Sequence, residues 1–390
     1  MWPIFGFSLT KPSRFTRCPG IRVTPWTTYS ATGTSCFPSA TQFWHSRQYR
    51  LQHTVSSAGA VPITKREPFT AGSAIRGDSK RVYEIQEFLL ERRLGLHLMC
   101  LYKASSTGKT FILETLLDSF DYQKSLQQPL SSSPNLRAFI DTISEESMFV
   151  YEFLPEDLFQ LSKRPLAYGT RKNILKRALE GLAELHDRGI LHTDIKPNNI
   201  PIDYDHDFTN VPEDNNLTVN QVRISDLEEL VLLGPGECIE GCLSGNELWR
   251  SPESWARAEQ YFSSDLFSFA VVAIYVMLEH MMFLASSEEL KGDRAWWHVL
   301  WKHTMYFGDV DGVEGLLWHT GEENPFHERL KSLIVEFGDH NPRGPFAKWK
   351  SVDNAAFQDL IAQMTSLHPK RRITAREALQ HPWFRGTESS

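Results

Sequence analysis

The sequence predicts an α+β fold, with β-rich text early in the chain and mainly helical text after it. Three observations predict this. Residues from Tyr83 to Leu116 read as strands around a turn at Ser105-Ser-Thr-Gly108, and Ser147 to Leu154 reads as another strand. From Asn173 to His186, apolar residues recur at helical spacing (Ile174, Leu175, Ala178, Leu179, Leu182), with Gly189 beyond as a stop. Leu266 to Leu278 is an apolar run opened by Asp265. It is too short to cross a bilayer and is expected as a buried helix that Asp265 caps.

With 390 residues the chain can bury a large core and form one two-lobed domain or two smaller ones. Its 41% hydrophobic and 23% charged content is that of a soluble globular protein. The net charge of -7 is unevenly spread. Residues 1–66 hold eight Lys or Arg and no acid, so the other 33 basic residues accompany all 48 acidic ones. That acidity argues against a nucleic-acid-binding body. Five cysteines, odd in number and scattered, imply no disulfide framework.

Residues 1–79 are expected to stand apart from the fold. The segment is rich in Ser, Thr and Arg, interrupted by Pro3, Pro12, Pro19, Pro25 and Pro38, and has no apolar period. It reads as a disordered basic tail or a mitochondrial transit peptide, so the expected location is cytoplasmic or mitochondrial. Strands follow at Leu98–Lys103 and Thr110–Leu116, then a short helix between Leu117 and Leu130 that contains no glutamate. Asn135–Ile143 and Ser147–Leu154 supply two more elements.

Beyond the helix at 173–186 comes Leu191-His-Thr-Asp-Ile-Lys-Pro-Asn-Asn-Ile200-Pro-Ile202. It sets Asp194, Lys196 and Asn199 between apolar flanks. A carboxylate to orient or accept the proton of an attacking hydroxyl, a lysine for the transferred phosphate and an amide for a metal suit phosphoryl transfer. The stretch resembles the catalytic loop of eukaryotic protein kinases of the serine/threonine type, with Thr193 where most members carry Arg. The wording also looks like a divergent fungal kinase-like group. Other segments are similar. Ile224-Ser-Asp-Leu-Glu228 resembles the metal-binding Asp-Phe-Gly segment, and Gly245-Asn-Glu-Leu-Trp-Arg-Ser-Pro-Glu253 resembles the end of the activation segment. The close, Ala378-Leu-Gln-His-Pro-Trp-Phe384, resembles the last helix of the domain.

The resemblance implies a bilobal kinase-like fold, with a small β-rich N-lobe over 80–156, a larger mainly helical C-lobe over 157–385 and a tail at 386–390. It also implies that Glu253 pairs with Arg372 and that Asp265 ties back to the catalytic-loop backbone. Between Ile200-Pro-Ile202 and Val222-Arg-Ile224, which look like a hairpin, the polar insertion from Asp203 to Asn220 is expected as a solvated loop. Residues 285–350, rich in Trp, are expected to fill a subdomain of short helices.

The nucleotide side departs from the family. Gly95 stands alone, His97 and Cys100 fall where further glycines would be, and Glu114 occupies the position of the phosphate-pairing lysine. Lys103 is then the candidate replacement cation. Tyr151 falls at the gatekeeper position, with Glu152-Phe153-Leu154 as hinge. By resemblance the site is Asp194 and Lys196 for chemistry, with Gly95, Lys103, Tyr151, Glu152, Leu154, Asn199 and Asp226 for ATP. Asn199 and Asp226 are also the ligands of Mg2+. The implied function is ATP-dependent phosphorylation of protein serine or threonine hydroxyls with atypical phosphate clamping. The alternative is a pseudokinase scaffold with weak or no nucleotide binding. No nucleic-acid partner and no integral membrane segment are expected.

Overall fold

The computed structural model describes residues 68–94, 97–116, 120–206, 217–291, 294–335, 337 and 343–385. The expectations for the basic segment through residue 67, for Gly95 and for the tail at 386–390 lie outside them. Two compact units emerge. One runs to Thr170 and takes in Asn198–Glu229; the other comprises Arg171–Pro197 and the chain from Leu230 on.

The first unit is built on a six-stranded sheet. Its strands are β1 (Ala74–Arg76), β2 (Val82–Leu94), β3 (His97–Ser106), β4 (Lys109–Thr115), β5 (Asp141–Ile143) and β6 (Met148–Glu152). Their order is β1-β2-β3-β4-β6-β5, and every pairing is antiparallel. Alternation along each strand gives the sheet two faces. Tyr83, Tyr102, Phe111, Leu113 and Val150 pack together on one. Ile112, Phe139, Phe149 and Tyr151 pack on the other, where Phe120 of helix α1 (Phe120–Gln127) joins them. Glu114 follows Ile112 by two residues and therefore shares that second face.

Ahead of the sheet the chain is knotted down by carboxylates. Asp141 accepts from the Ser79 N–H at 3.0 Å and the Tyr83 hydroxyl at 2.8 Å. Asp78 accepts from Thr142 Oγ1 at 2.5 Å and pairs with Lys124 of α1 at 3.4 Å. Burial pushes the Asp78 carboxyl up, but hydrogen bonds from Ser144 and Thr142 outweigh it and lower the group to about 2. The described chain begins at Pro68, and β1 already lies ahead of the expected lobe start at residue 80.

After β6 the chain forms β7 (Glu156–Asp157) and α2 (Leu158–Leu161), whose N-cap is Asp157 accepting from Gln160 N–H at 2.9 Å. A three-stranded sheet then joins β7 to a hairpin whose strands, β9 and β10, are Pro201–His206 and Leu217–Val222. The flanks of the polar insertion are thus strands and not loop. They tolerate polarity because Pro201, Ile202, Leu217 and Val222 are the buried positions, while Asn220 reaches across to Asp205 at 3.0 Å.

The second unit is mainly helical. Helix α3 (Tyr168–Asp187) leads to β8 (Ile190–Leu191), which pairs with β11 (Val231–Leu232). Then come α4 (Pro252–Trp255), α5 (Phe262–Leu278), α6 (Ser287–Lys291), α7 (Ala295–Phe307), α8 (Val310–Thr320) and α9 (Phe326–Val335). The chain closes with α10 (Ala355–Thr365), α11 (Ala375–Gln380) and α12 (Pro382–Arg385). Helix α5 is apolar on all sides because it is buried from Ser264 to Val276. It begins before Asp265, with Tyr261 at the N-cap, so Asp265 does not cap it. No helix among the described residues is long and apolar enough to cross a membrane.

Glu253 and Arg372 tie this unit together. Arg372 donates to both carboxylate oxygens of Glu253, at 2.6 and 2.8 Å, and both side chains are fully buried. Burial pushes the Glu253 carboxyl up, but Arg372 and the Ser264 hydroxyl outweigh it and hold the group at about 2.

Candidate active site

The sequence-derived site residues divide between the two units, and the chain passes from one to the other between Pro197 and Asn198. In the helical unit, α3 and β8 deliver the chain to His192, which is fully buried. Asp265 from the first turn of α5 accepts from the His192 N–H at 2.7 Å, the Thr193 N–H at 2.9 Å and His186 Nε2 at 3.1 Å. These bonds hold Thr193 in the left-handed region, at φ 73°. Asp194 follows at once. One of its carboxylate oxygens accepts from the Asn246 N–H at 2.9 Å, and the other contacts Lys196 Nζ. Asn246 reaches it because Gly245, at φ 77°, lets the two backbones close up: a Cβ there would lie 2.7 Å from the Thr193 carbonyl oxygen. Asp194 and Lys196 are therefore brought together as one oriented pair.

In the sheet-bearing unit, the Ser225 N–H donates to the Asn199 carbonyl at 2.9 Å, and Asn199 Nδ2 donates to Asp226 Oδ2 at 3.1 Å. Asp226 takes a positive φ of 64°. An amide and a carboxylate side by side are hard oxygen donors of the kind Mg2+ accepts. Among the described residues no group of three or more His, Cys, Asp and Glu could hold a metal. Two protein donors fit Mg2+, which ordinarily completes its shell with phosphate oxygens and water.

Of the residues expected at the nucleotide, Lys103 and Tyr151 pair with Ile112 and share its face of the sheet, whereas Glu152 pairs with Phe111 on the other. Lys103 pairs in register with Ile112, and its ammonium lies 5.1 Å from the ring centre of Phe153. It stands six residues from His97, about 20 Å along an extended strand. Leu101, two residues before Lys103 on the same strand, pairs in register with Glu114, so Lys103 and Glu114 stand near each other on one face of the sheet. Cys100 falls on the opposite face, buried with Tyr83 and Tyr102. Tyr151 and Leu154 are buried and Glu152 is half-buried.

Glu114 is buried, and an isolated buried carboxylate costs several kcal/mol, about what one or two apolar side chains return. The compensating charge is Arg137. It lies over the Tyr151 ring at 5.2 Å and donates from Nε to the Glu152 carbonyl at 2.9 Å. Burial pushes its guanidinium below the usual range, and Tyr151, Glu114 and Glu228 pull against that. Glu228 accepts from the Tyr151 hydroxyl at 2.6 Å. From α1, Gln123 donates to the Glu228 carbonyl at 2.6 Å and Gln127 to the Leu227 carbonyl at 3.2 Å. Arg137, Gln123 and Gln127 are residues that sequence reasoning missed. The signal for them was the acid at 114, which demanded a cation nearby.

A sequence profile described as the protein kinase domain matches residues 122–384. The chain belongs to the protein kinase domain family. Among curated proteins it is 26% identical over 250 residues to a probable cyclin-dependent serine/threonine-protein kinase of Dictyostelium discoideum. That match covers 62% of this chain and 16% of the relative. It is 22% identical to calcium-dependent protein kinase 21 of Arabidopsis thaliana, over 87% of this chain and 56% of that one. It is 25% identical to the serine/threonine-protein kinase SSN3 of Yarrowia lipolytica, over 64% and 61%. The chain thus spans less than two thirds of the length of each. The solved structure of the yeast RNA Pol II CTD kinase CTDK-1 complex is similar at a TM-score of 0.59 and 16% identity. This likeness of fold covers 84% of this chain and 97% of that one. The family generally uses ATP and Mg2+.

Proposed function

We propose that the chain transfers the γ-phosphoryl group of ATP to serine or threonine hydroxyls of a protein substrate. The observation that carries this reading is the Asp194 carboxylate, held on one side by the Asn246 N–H and on the other by Lys196. In this role Asp194 orients the substrate hydroxyl and takes its proton as the oxygen bonds to the γ-phosphorus and the bond to ADP breaks. Lys196 offsets charge on the phosphoryl oxygens in flight. Asn199 and Asp226 would hold Mg2+, which offsets charge on the polyphosphate when bound. Tyr151 closes the back of the adenine pocket and Glu152–Leu154 form its hinge. With Glu114 in place of a lysine, the clamp is atypical and draws on Lys103, which stands near Glu114, together with Lys196 and the metal.

One observation favours a second reading, a pseudokinase scaffold: Arg137 already engages the hinge carbonyl of Glu152 beside the acid at 114. Phosphate transfer to a generic protein substrate and Mg-ATP affinity, measured together, separate the two. Asp194→Asn should lower turnover by a factor of 10² or more and leave Mg-ATP affinity nearly intact, at roughly the scale of a lost general base. Transfer that survives Asp194→Asn refutes the assignment of the base. Tight Mg-ATP binding with no transfer by the wild type leaves the scaffold reading.

A further inference from the structure

The turn that carries Asp226 is fastened from several sides within one unit. Its entry is bridged to the segment before β5, where the Arg137 N–H donates to the Ile224 carbonyl and the Ile224 N–H donates to Asn135, both at 2.8 Å. Its exit, Leu227–Glu229, is held by side chains. Gln123 and Gln127, one turn apart on α1, donate to the Glu228 and Leu227 carbonyls. Tyr151, on the gatekeeper strand β6, donates to the Glu228 carboxylate. Gln127 is fully buried and Gln123 nearly so, so neither amide is an incidental surface contact.

This arrangement changes the meaning of three departures from the family pattern. A lysine at 114 and a glutamate on α1 would join the helix to the nucleotide through an ion pair. Here the strand residue is an acid, the helix presents two amides, and the turn has gained a carboxylate where the family has glycine. Each change alone would leave a polar group without a partner in a sheltered place. Together they form one network, in which Arg137 supplies the positive charge among Glu114 and Glu228.

We propose that Glu228 is a positioning residue: joined to Tyr151 by its carboxylate and to Gln123 by its carbonyl, it holds Asp226 ready for Mg2+ in place of the lysine–glutamate pair. The inference rests on the phosphoryl-transfer reading for its metal. It implies that α1 and the Asp226 turn move as one body, without a flexible glycine between them. It also predicts something that resemblance alone would not: changing Glu228 to the family's own residue is harmful.

The test uses the full chain as wild type, Glu228→Gly and Glu228→Gln. Affinity for Mg-ADP and for adenosine is measured by calorimetry, and amide hydrogen exchange is followed over residues 224–230. Glu228→Gly should weaken Mg-ADP by about tenfold, the scale of one charge-assisted hydrogen bond, with adenosine affinity unchanged and exchange faster. Glu228→Gln still accepts from Tyr151 and should retain most of the affinity. Glu228→Gly that binds Mg-ADP as well as wild type, or better, overturns the proposal. So does an equal loss for adenosine and Mg-ADP, which marks a general structural defect. Wild type that binds no Mg-ADP, with protected amides that Glu228→Gly releases, removes the metal role and the proposal with it. Wild type that binds Mg-ADP yet transfers no phosphate removes only the phosphoryl-transfer reading.

Discussion

Replacing Arg372 by methionine strips the charge from a pocket that water does not enter. Glu253 would keep the Ser264 hydroxyl at 2.6 Å but lose two charge-assisted bonds, and the Ser263 and Ser366 carbonyls would lose their donor. The wild-type carboxyl is held at about 2 against an ordinary 4.5, which corresponds to about 3 kcal/mol of stability. Because its pKa is depressed, that contribution is full above about pH 4.5 and is lost as pH falls through about 2. Orphaning the carboxylate by Arg372→Met should cost about 3–5 kcal/mol at neutral pH. Burial then governs the carboxyl and raises its pKa, so the variant takes up a proton as the solution is acidified and its deficit shrinks. Urea unfolding of both proteins at pH 7.5 and pH 5 measures this. Glu253→Leu combined with Arg372→Met should recover much of the loss, since no charge is left unpaired. A deficit below about 1 kcal/mol, or one that grows toward acid, would refute the argument.

Two further predictions follow from buried polar groups and close backbones. His303 is fully buried between Phe267 and Phe283, with no hydrogen-bond partner for either ring nitrogen among the described residues, and burial depresses its pKa to about 3. Its neutral form is favoured by folding, so wild-type stability should fall as pH drops below about 6.5, by at most about 1.4 kcal/mol per unit. His303→Leu should flatten that slope in an acid denaturation series; an unchanged slope counts against it. Gly245→Ala forces a Cβ to 2.7 Å from the Thr193 carbonyl oxygen and should pull the Asn246 N–H off Asp194. Turnover should drop by about tenfold or more with little change in Mg-ATP affinity, and steady-state kinetics with unchanged kcat would contradict it.

The features legible in sequence were those written in short local words. The helix at 173–186, the Asp194–Asn199 loop and the partnership of Glu253 with Arg372 each depend on residue types at fixed spacing within a recognisable context. The hairpin was legible at its base, Ile202 against Val222, but its extension to His206 and Leu217 was not, because those strands are polar on the exposed side and carry few buried anchors. Asp265 was legible as a loop tether but was misplaced as a helix cap, since three residues of α5 precede it. The Arg137 network was invisible for a different reason. Its members come from β4, α1, β6, the segment before β5 and the Asp226 turn, and no pairwise spacing relates them. Only the acid at 114 hinted that the charges of this lobe had been rearranged.

The knot made by Asp78 and Asp141 has a consequence for where the domain can be cut. Strand β1 covers β2 only from Val82 to Glu84, and beyond it Phe88 and Leu89 stand partly exposed on that same outer strand. Sheet margins of this kind recruit foreign strands unless something blunts them. Register irregularities at Ile85/Glu87 and Phe88/Leu90 do so along the outer strand, and the Phe69–Arg76 stretch does so at its start. A truncation at residue 80 would discard that stretch together with Asp78. It would leave Val82–Glu84 bare and Lys124 without its counter-ion, so a soluble expression fragment should begin ahead of Phe69.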